Sequence, residues 1–192
     1  MPLYDLSLYL ISCKRYLFIG PKTVIKTGNQ MILVGIGSNL SGKVGAPIET
    51  VRESLNVMQS NGMKILSCSN FYNTPPVGPP GQANYVNLVV KLSSVLMPHG
   101  LLDRLQAIEN QFERQRIVKW GARTLDLDVL DWHGHIIQGR LNLPHPELTK
   151  RGFVLRPLMD VAPEWRDPKT GKSASTLWNN LCVTEQLKIV KI

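Results

Sequence analysis

Two carboxylates stand two residues apart in the segment 124–131, where apolar and polar residues alternate. In a β-strand this spacing sends Asp126 and Asp128 to the same face, with their Cα atoms roughly 6.6 Å apart. The two groups would repel each other and raise each other's pKa unless a cation lay between them. Proteins hold magnesium through one or two carboxylates together with substrate phosphates. The pair therefore predicts a magnesium site, although a solvated strand face with two surface acids would have the same pattern.

A cluster of basic residues lies just upstream of the two carboxylates. Phosphoryl-type transfer needs fixed cations that neutralise the charge developing in the transition state, and the planar fork of Arg binds phosphate in a bidentate way. The segment 115–121 lacks apolar periodicity, so we expect a loop that closes over the site and excludes water. The alternative is that these cations only balance the neighbouring acids. The cluster consists of Arg114, Arg116, Lys119 and Arg123.

Two further sets of residues have the chemistry to bind a substrate. Tyr85 and Asn87 share a strand face, where a ring beside an amide suits a flat heterocycle through stacking and hydrogen bonding. His145 lies between Pro144 and Pro146 in a stiff turn, so it could contact phosphate, although a lone His is more often structural. Taken alone, each set is a weak signal.

The elements that would position these residues follow a simple order. Apolar runs and period-two alternation predict strands, and apolar residues at helical spacing after Pro47 and Pro98 predict helices. The order strand, helix, strand, strand, helix, strand predicts an α+β, ferredoxin-like βαββαβ sandwich. Its mainly antiparallel sheet would carry both helices on one face, followed by C-terminal additions with a loosely structured tail. The predicted elements span 31–36, 48–58, 64–72, 85–92, 98–112 and 124–131.

Composition limits the class of protein. With 192 residues and 43% hydrophobic residues, the chain can build a single globular core. The net charge of +8 suggests an acidic partner, which could be nucleic acid, an anionic membrane or a polyphosphate ligand. Three widely spaced cysteines, without a CxxC pair, indicate free thiols in a reducing cytosol rather than a disulfide framework or a zinc site.

The first thirty residues differ from the rest. Their apolar runs are shorter than the roughly 20 residues of a membrane span, and the acid Asp5 precedes them where a signal peptide has basic residues. Leu10-Ile11-Ser12-Cys13 is like a bacterial lipoprotein cleavage box, so lipid anchoring stays an alternative. We expect residues 1–30 to be an extension of low order, with Met31 as the true start, and residues 31–192 to form one domain.

Several blocks of the sequence resemble 6-hydroxymethyl-7,8-dihydropterin pyrophosphokinase of folate biosynthesis. They occur in family order between Met31 and Trp165, and the block around the two carboxylates is the most specific. The blocks are Gly35-Ile36-Gly37-Ser38-Asn39-Leu40, Phe71-Tyr72-Asn73-Thr74-Pro75-Pro76-Val77-Gly78, Tyr85-Val86-Asn87, Trp120-Gly121-Ala122-Arg123-Thr124-Leu125-Asp126-Leu127-Asp128, Leu143-Pro144-His145-Pro146-Glu147 and Arg151-Gly152-Phe153.

The resemblance implies an ATP- and magnesium-dependent diphosphotransferase. The hydroxymethyl oxygen of the pterin would attack the β-phosphorus of ATP and release AMP, with two magnesium ions held by Asp126 and Asp128. Arg114 and Arg123 would assist the transfer. The resemblance also implies a cytoplasmic monomer without a nucleic-acid partner or stable membrane association. ATP would be bound by Gln106, Glu109, Arg116, Trp120, Arg140, His145 and Arg151, and the pterin by Asn39, Thr74, Pro75, Val77, Tyr85, Asn87 and Phe153.

The chain departs from the family pattern in a few places. The loop between Arg116 and Trp120 is one residue short, which affects Lys119 and loop closure. Asn142 stands where Thr is common and Pro146 where an aromatic residue is common, so adenosine contacts would change. The extension before Met31 has no family counterpart.

Two other functional classes use a similar fold. An RNA-recognition module would show exposed aromatics in the RNP1 pattern, which is absent, and the acids on the exposed strand face would repel RNA phosphates. A two-metal nucleotidyl enzyme also places two Asp residues on a ferredoxin-like sheet. The pair Tyr85 and Asn87, together with the Pro-rich loop 75–81, favours a small flat acceptor instead.

Overall fold

The computed structural model describes residues 31–114 and 120–192 in full, and the backbone of two short strands in the extension. These strands, β1 (Tyr16–Phe18) and β2 (Val24–Lys26), pair with each other in antiparallel fashion. The predicted low order of residues 1–30 otherwise lies outside the described residues. Within the described part of the chain, no helix combines the length and the apolar character that crossing a membrane requires.

Six strands of the described chain form one sheet, in the order β7-β3-β6-β5-β8, with β4 also paired to β6. Every neighbouring pair is antiparallel. The central pair β3 and β6, flanked by β7 on one side and by β4 and β5 on the other, gives the predicted α+β, ferredoxin-like arrangement. The strands are β3 (Ile32–Ser38), β4 (Lys64–Cys68), β5 (Tyr72–Thr74), β6 (Tyr85–Ser93), β7 (Asp126–Trp132) and β8 (Val190–Lys191).

The single strand predicted over 64–72 is two strands, β4 and β5. Between them, Ser69 stays bonded to Val89 of β6 because its N–H donates to the Val89 carbonyl and its hydroxyl accepts from the Val89 N–H, both at 3.0 Å. A side-chain oxygen thus replaces a backbone acceptor, which interrupts the ladder at that point. Both short strands keep the same neighbour, so the topology is unchanged.

The two predicted helices, α1 (Pro47–Ser60) and α2 (Pro98–Gln111), pack on the first face of the sheet. They bury Val51 and Met58, and Leu101, Leu105 and Ile108, against the inward residues of the strands. Period-two alternation supplies those strand residues, including Ile32, Val34 and Ile36 of β3, Leu88, Val90 and Leu92 of β6, and Leu127 and Val129 of β7.

The C-terminal additions cover part of the second face. Helix α3 (Gly152–Val161) packs Leu155 and Leu158 against Leu33 of β3 and Val89 of β6. The short elements that precede and follow it are a 3₁₀ turn (Leu148–Lys150), α4 (Ala174–Asn179) and α5 (Val183–Gln186).

The expectation of a loosely structured tail is wrong. Strand β8 adds to the sheet beside β5, with Tyr72 opposite Lys191 and Asn73 opposite Val190. The N–H of Ile192 also donates to the Phe71 carbonyl at 3.0 Å. The open edge of β5 provides backbone partners for these last residues, and a local sequence pattern does not reveal such partners.

Candidate active site

Asp126 and Asp128 lie on β7 with their side chains on the second face of the sheet, beyond the part that α3 covers. Their neighbours across β3 are Gly37, opposite Asp126, and Gly35, opposite Asp128. All four residues line one cavity, which Leu130 also lines two positions further along β7. The alternation read from the sequence therefore places both carboxylates at the same opening.

The two glycines of β3 keep the floor of this cavity open. A Cβ atom on Gly37 would lie 2.5 Å from the Asn87 Oδ1, closer than such atoms approach in folded proteins. The Asn87 amide can occupy that space and donates from its Nδ2 to the Thr74 hydroxyl at 2.8 Å. Gly37 thus permits a buried polar pair that presents amide chemistry beside the carboxylates.

Many residues predicted to bind substrate line this same cavity. Tyr85 donates its hydroxyl to the Gly121 carbonyl at 3.1 Å, and burial raises the pKa of that hydroxyl, so it stays a donor. The Arg151 guanidinium lies 5.6 Å from the centre of the Phe153 ring. The cavity brings together Thr74, Pro75, Val77, Tyr85, Asn87, Trp120, Arg123, Asp126, Asp128, His145, Arg151 and Phe153.

His145 is held in place by its own turn. Its N–H donates to the Leu130 carbonyl at 2.8 Å, and its ring Nδ1 accepts from the Glu147 N–H at 3.2 Å. The Nδ1 atom is therefore an acceptor, which leaves the other ring nitrogen for the cavity side. This is the stiff setting that the flanking prolines predicted.

Two arginines converge on Asp126. Arg114 donates from Nη2 to Oδ1, and Arg123 donates from Nη1 to Oδ2. The Arg114 side chain is only 6% exposed, whereas those of Arg123 and Asp126 are about one-fifth exposed. One carboxylate thus holds two guanidinium groups in place, and one of them, that of Arg123, lines the cavity.

Asp128 forms no comparable ion pair with the residues that the structure describes. Burial, and next the neighbouring Asp126 carboxylate, raise the pKa of Asp128, while His145 and the two arginines act in the opposite direction. A hard cation between the two carboxylates would relieve this repulsion, so the residues fit magnesium. Among the described residues, no group of three or more His, Cys, Asp or Glu could hold a metal ion. A metal here would need oxygen ligands from substrate or water as well.

Asn39 and Gln82 fasten the chain around the cavity. Asn39 is buried, and its Oδ1 accepts from the Arg123 N–H at 2.8 Å while its Nδ2 donates to the Ala83 carbonyl at 3.1 Å. Gln82 donates from Nε2 to the Trp120 carbonyl at 2.9 Å. Asn39 does not line the cavity but holds the Arg123 backbone beside it, and its contact with the pterin stays a prediction.

Other predicted site residues also lie away from the cavity wall. Glu109 is buried beneath β7, and Arg114 reaches the site only through Asp126. Arg140 forms an exposed ion pair with Asp103 of α2, and Gln106 lies half-buried on the same helix. Arg116 and Lys119, with the closing loop and its missing residue, fall outside the described residues.

Asn142 and Pro146, the two residues that depart from the family pattern near the expected adenosine contacts, both lie in exposed turns. Asn142 holds a turn because its amide bonds with the N–H and the carbonyl of Gly139, both at 3.3 Å. Pro146 is exposed at the turn that follows His145. Their effect on adenosine contacts stays a prediction.

Sequence reasoning missed several residues of the cavity. Leu130 follows Asp126 and Asp128 at period two, so the alternation already placed it on the same face. Gly35 and Gly37 alternate with core residues of β3, which could have marked them as an opening in the sheet. Val154 was out of reach because the position of α3 depends on tertiary packing.

Comparison with known proteins identifies similar chains. Residues 33–163 match the family described as 7,8-dihydro-6-hydroxymethylpterin-pyrophosphokinase (HPPK). A 2-amino-4-hydroxy-6-hydroxymethyldihydropteridine pyrophosphokinase of Haemophilus influenzae is 41% identical over 131 residues, covering 67% of this chain and 79% of that one. The protein of the same name from Synechocystis sp. is 39% identical over 143 residues, covering 73% of this chain and 71% of that one.

Solved structures agree on the fold. The crystal structure of Plasmodium falciparum HPPK-DHPS wild type matches with a TM-score of 0.60 and 14% identity. The match covers 78% of this chain and 44% of that chain, so this chain corresponds to less than half of that longer protein. At this identity the match shows a common architecture alone.

Proposed function

Because the chain belongs to the 7,8-dihydro-6-hydroxymethylpterin-pyrophosphokinase family, we propose that the cavity at Asp126 and Asp128 is its catalytic centre. The reaction is the transfer of pyrophosphate from ATP to 6-hydroxymethyl-7,8-dihydropterin in folate biosynthesis, and the chain is a diphosphotransferase. The observation that carries the assignment of the centre is the convergence of Arg114 and Arg123 on Asp126, in a cavity shared with Asp128.

The reaction exchanges one phosphorus–oxygen bond for another. The pterin hydroxymethyl oxygen forms a bond to the β-phosphorus of ATP, and the bond from that phosphorus to the oxygen bridging to the α-phosphorus breaks. AMP leaves with that oxygen, and the hydroxyl proton is lost to solvent or to a nearby base. The pterin diphosphate is the second product.

Asp126 and Asp128 would hold two magnesium ions. Bound there, the ions would shield the phosphate charge and align the phosphate oxygens with the acceptor. The fit rests on two carboxylates that face one cavity and on the raised pKa of Asp128, whose first cause is burial and whose second is the Asp126 carboxylate. The Asp126 oxygens, which accept from Arg114 and Arg123, would be shared with the ions.

Arg114 and Arg123 supply the fixed positive charge for the transferred group. Both are held by Asp126, so their guanidinium groups are placed before substrate arrives. Fixed donors of this kind stabilise developing charge without reorganising at the moment of reaction. His145 and Arg151, on the same cavity, would bind further phosphate oxygens.

The pterin would bind against the aromatic and amide side chains of the same cavity. Tyr85 and Phe153 provide aromatic surfaces for a flat bicyclic ring, and the Asn87 amide and Thr74 hydroxyl provide polar groups at its edge. Val77 and Pro75 complete an apolar wall. This set favours a small heterocyclic acceptor over the growing end of a nucleic acid.

The test is release of AMP from ATP and magnesium, with and without 6-hydroxymethyl-7,8-dihydropterin. Pterin-dependent AMP should form with the wild type and fall by roughly a thousandfold or more in Asp128→Ala. Glu164→Ala, which removes an exposed carboxylate paired with Lys91, is the matched control and should keep full activity. Wild-type AMP release that ignores the pterin, or Asp128→Ala with normal activity, would contradict the proposal.

The finer points of the proposal have their own measurements. Titration with manganese as a paramagnetic substitute should report two ions per chain when an unreactive ATP analogue is present, and one ion would contradict the pair. Sedimentation should report a monomer. A tagged chain should be found in the cytoplasm. An assay without pterin should show no nucleotide transfer to the end of a nucleic acid.

A further inference from the structure

Glu109 is a buried acid beside the candidate active site. It lies on α2 with 2% of its surface exposed and does not line the cavity. Burial raises its pKa, whereas Arg114 and the Leu127 N–H lower it. A carboxylate buried in this way is costly unless its partners are well placed, so its contacts must serve the structure of the site.

Its two oxygens reach two different parts of the site. Oε1 accepts a hydrogen bond from the Leu127 N–H at 2.7 Å, on the residue between Asp126 and Asp128. Oε2 forms an ion pair with the Arg114 Nη1. Glu109 therefore fixes both the strand that carries the two carboxylates and one of the arginines that faces them.

Arg114 completes the link. The same guanidinium that contacts Glu109 through Nη1 donates to Asp126 through Nη2. Since Arg114 lies just after the end of α2, Glu109 sets where its long side chain runs. Loss of Glu109 would leave this nearly buried cation, only 6% exposed, with one of its two carboxylate partners missing.

We propose that Glu109 is a positioning residue, which acts on pyrophosphoryl transfer through Arg114 and the backbone of β7 and does not touch ATP. The inference rests on the proposed function of the cavity. The family resemblance implied instead that Glu109 binds ATP directly. The two roles differ in the kinetic constant that they affect.

The first test is Glu109→Gln. The amide oxygen still accepts from the Leu127 N–H, so the helix and strand stay joined. The negative charge that Glu109 places beside the Arg114 guanidinium is lost. Misplacement of a transfer group by about 1 Å costs on the order of a hundredfold in rate. We expect kcat to fall by about 10- to 100-fold, with the KM for ATP within about threefold of wild type.

Glu53→Gln is the matched control. It makes the same chemical change on α1, where Glu53 is exposed and bonded to Asn56. This variant should keep both constants of the wild type. A raised KM for ATP in Glu109→Gln, with kcat unchanged, would overturn the inference in favour of direct ATP binding.

A double-mutant cycle separates action through Arg114 from a general effect. Arg114→Ala and the double variant Glu109→Gln/Arg114→Ala should lose kcat to a similar extent, because Glu109 has little left to act on once Arg114 is gone. Losses that multiply would overturn the inference. If Glu109→Gln fails to fold, Glu109→Asp is the substitute, since it keeps the charge but is too short to hold both partners, and it should show the same fall in kcat.

The two proposals fail in distinguishable ways. If the wild type releases no pterin-dependent AMP, the proposed catalytic centre is wrong. If the wild type is active and Glu109→Gln matches it, only the role of Glu109 is wrong.

Discussion

The second face of the sheet has two halves, which use the same strands in opposite ways. In the packed half, Met31, Leu33 and Asp131 lie with α3 and Trp165. In the open half, Gly35, Gly37, Asn87, Asp126 and Asp128 occupy β3, β6 and β7 and face the cavity, which α3 borders only through its first turn. Val89 and Leu130 belong to both the α3 cluster and the cavity wall, so they form the boundary.

The contrast teaches how one sheet separates stability from chemistry. Where β3 carries Leu33, a helix packs on it, and where β3 carries glycine, a cavity remains. The acids of β7 follow the same division. Asp131 has its oxygens bonded to the Gly134 N–H at 2.7 Å and the Trp165 Nε1 at 3.1 Å, while Asp128 meets a second carboxylate.

The largest expected effect tests those two acids against each other. Asp128→Asn should lower kcat by roughly a thousandfold while the thermal midpoint stays the same or rises, because a repelling buried charge is removed. Asp131→Asn should lower the free energy of unfolding by about 1–3 kcal/mol and keep activity per folded molecule. Activity and calorimetry on both variants provide the check. Equal losses of activity in the two variants would contradict the assignment of chemistry to the open half and of stability to the packed half.

Leu33→Ala should give the next largest effect, and only on stability. Leu33 is fully buried under α3, and loss of its side chain leaves a hole that costs about 3 kcal/mol of unfolding free energy. Below its melting temperature the variant should keep the kcat of the wild type. Denaturant titration measures the loss, and Val95→Ala, at a 98% exposed position, is the control that should change little.

Gly37→Ala tests whether the open half needs a glycine at this position. The added Cβ would meet the Asn87 Oδ1 at 2.5 Å, so the Asn87–Thr74 pair must shift. We expect binding of the pterin to weaken about tenfold, equivalent to about 1.4 kcal/mol. Calorimetric titration with the pterin measures this. Gly35→Ala, whose Cβ would meet Leu130 at an ordinary 3.5 Å, should lose less; a larger loss there would contradict the steric argument.

The smallest effect concerns Asp160 of α3, which fastens the packed half to β5. Burial alone would raise its pKa, but hydrogen bonds from the Asn70 side chain and N–H and from the Tyr72 hydroxyl, with Arg156, lower the pKa below its usual value. A lowered folded pKa gives stability that is present above the unfolded pKa of about 3.9 and is lost as pH falls below it.

Asp160→Asn should therefore lower the free energy of unfolding by about 1 kcal/mol at pH 7, with activity intact. The difference in free energy of unfolding between Asp160→Asn and the wild type should be constant from pH 7 to 5 and shrink below about pH 4. Melting curves across this range are the measurement. A difference that grows in acid would show that the carboxylate is not the stabilising group.

The sequence predicted the parts of this fold and site that repeat at short range. Alternation over residues 85–92 and 124–131 assigned the faces of two strands, because successive strand side chains point to opposite faces. It thereby placed Asp126, Asp128, Tyr85 and Asn87 at one cavity. The basic cluster predicted cations beside the two carboxylates, and Arg114 and Arg123 do meet Asp126; their binding of phosphate stays a prediction.

The parts that escaped prediction depend on contacts between distant segments. No local pattern shows that α3 covers half of a sheet face or that β8 pairs with β5. For the same reason, no local pattern shows that the buried Asn39 amide accepts from the Arg123 N–H. A residue type in a motif specifies its chemistry, and only packing specifies which partner receives it.

The bond from the Leu127 N–H to Glu109 has a further consequence for β7. This strand forms one edge of the sheet, and an edge with free backbone groups invites strand addition by another molecule. Glu109 occupies one of those donors with an acidic side chain from its own helix. One backbone donor of the strand that carries both carboxylates is therefore not available to pair with a strand of another molecule.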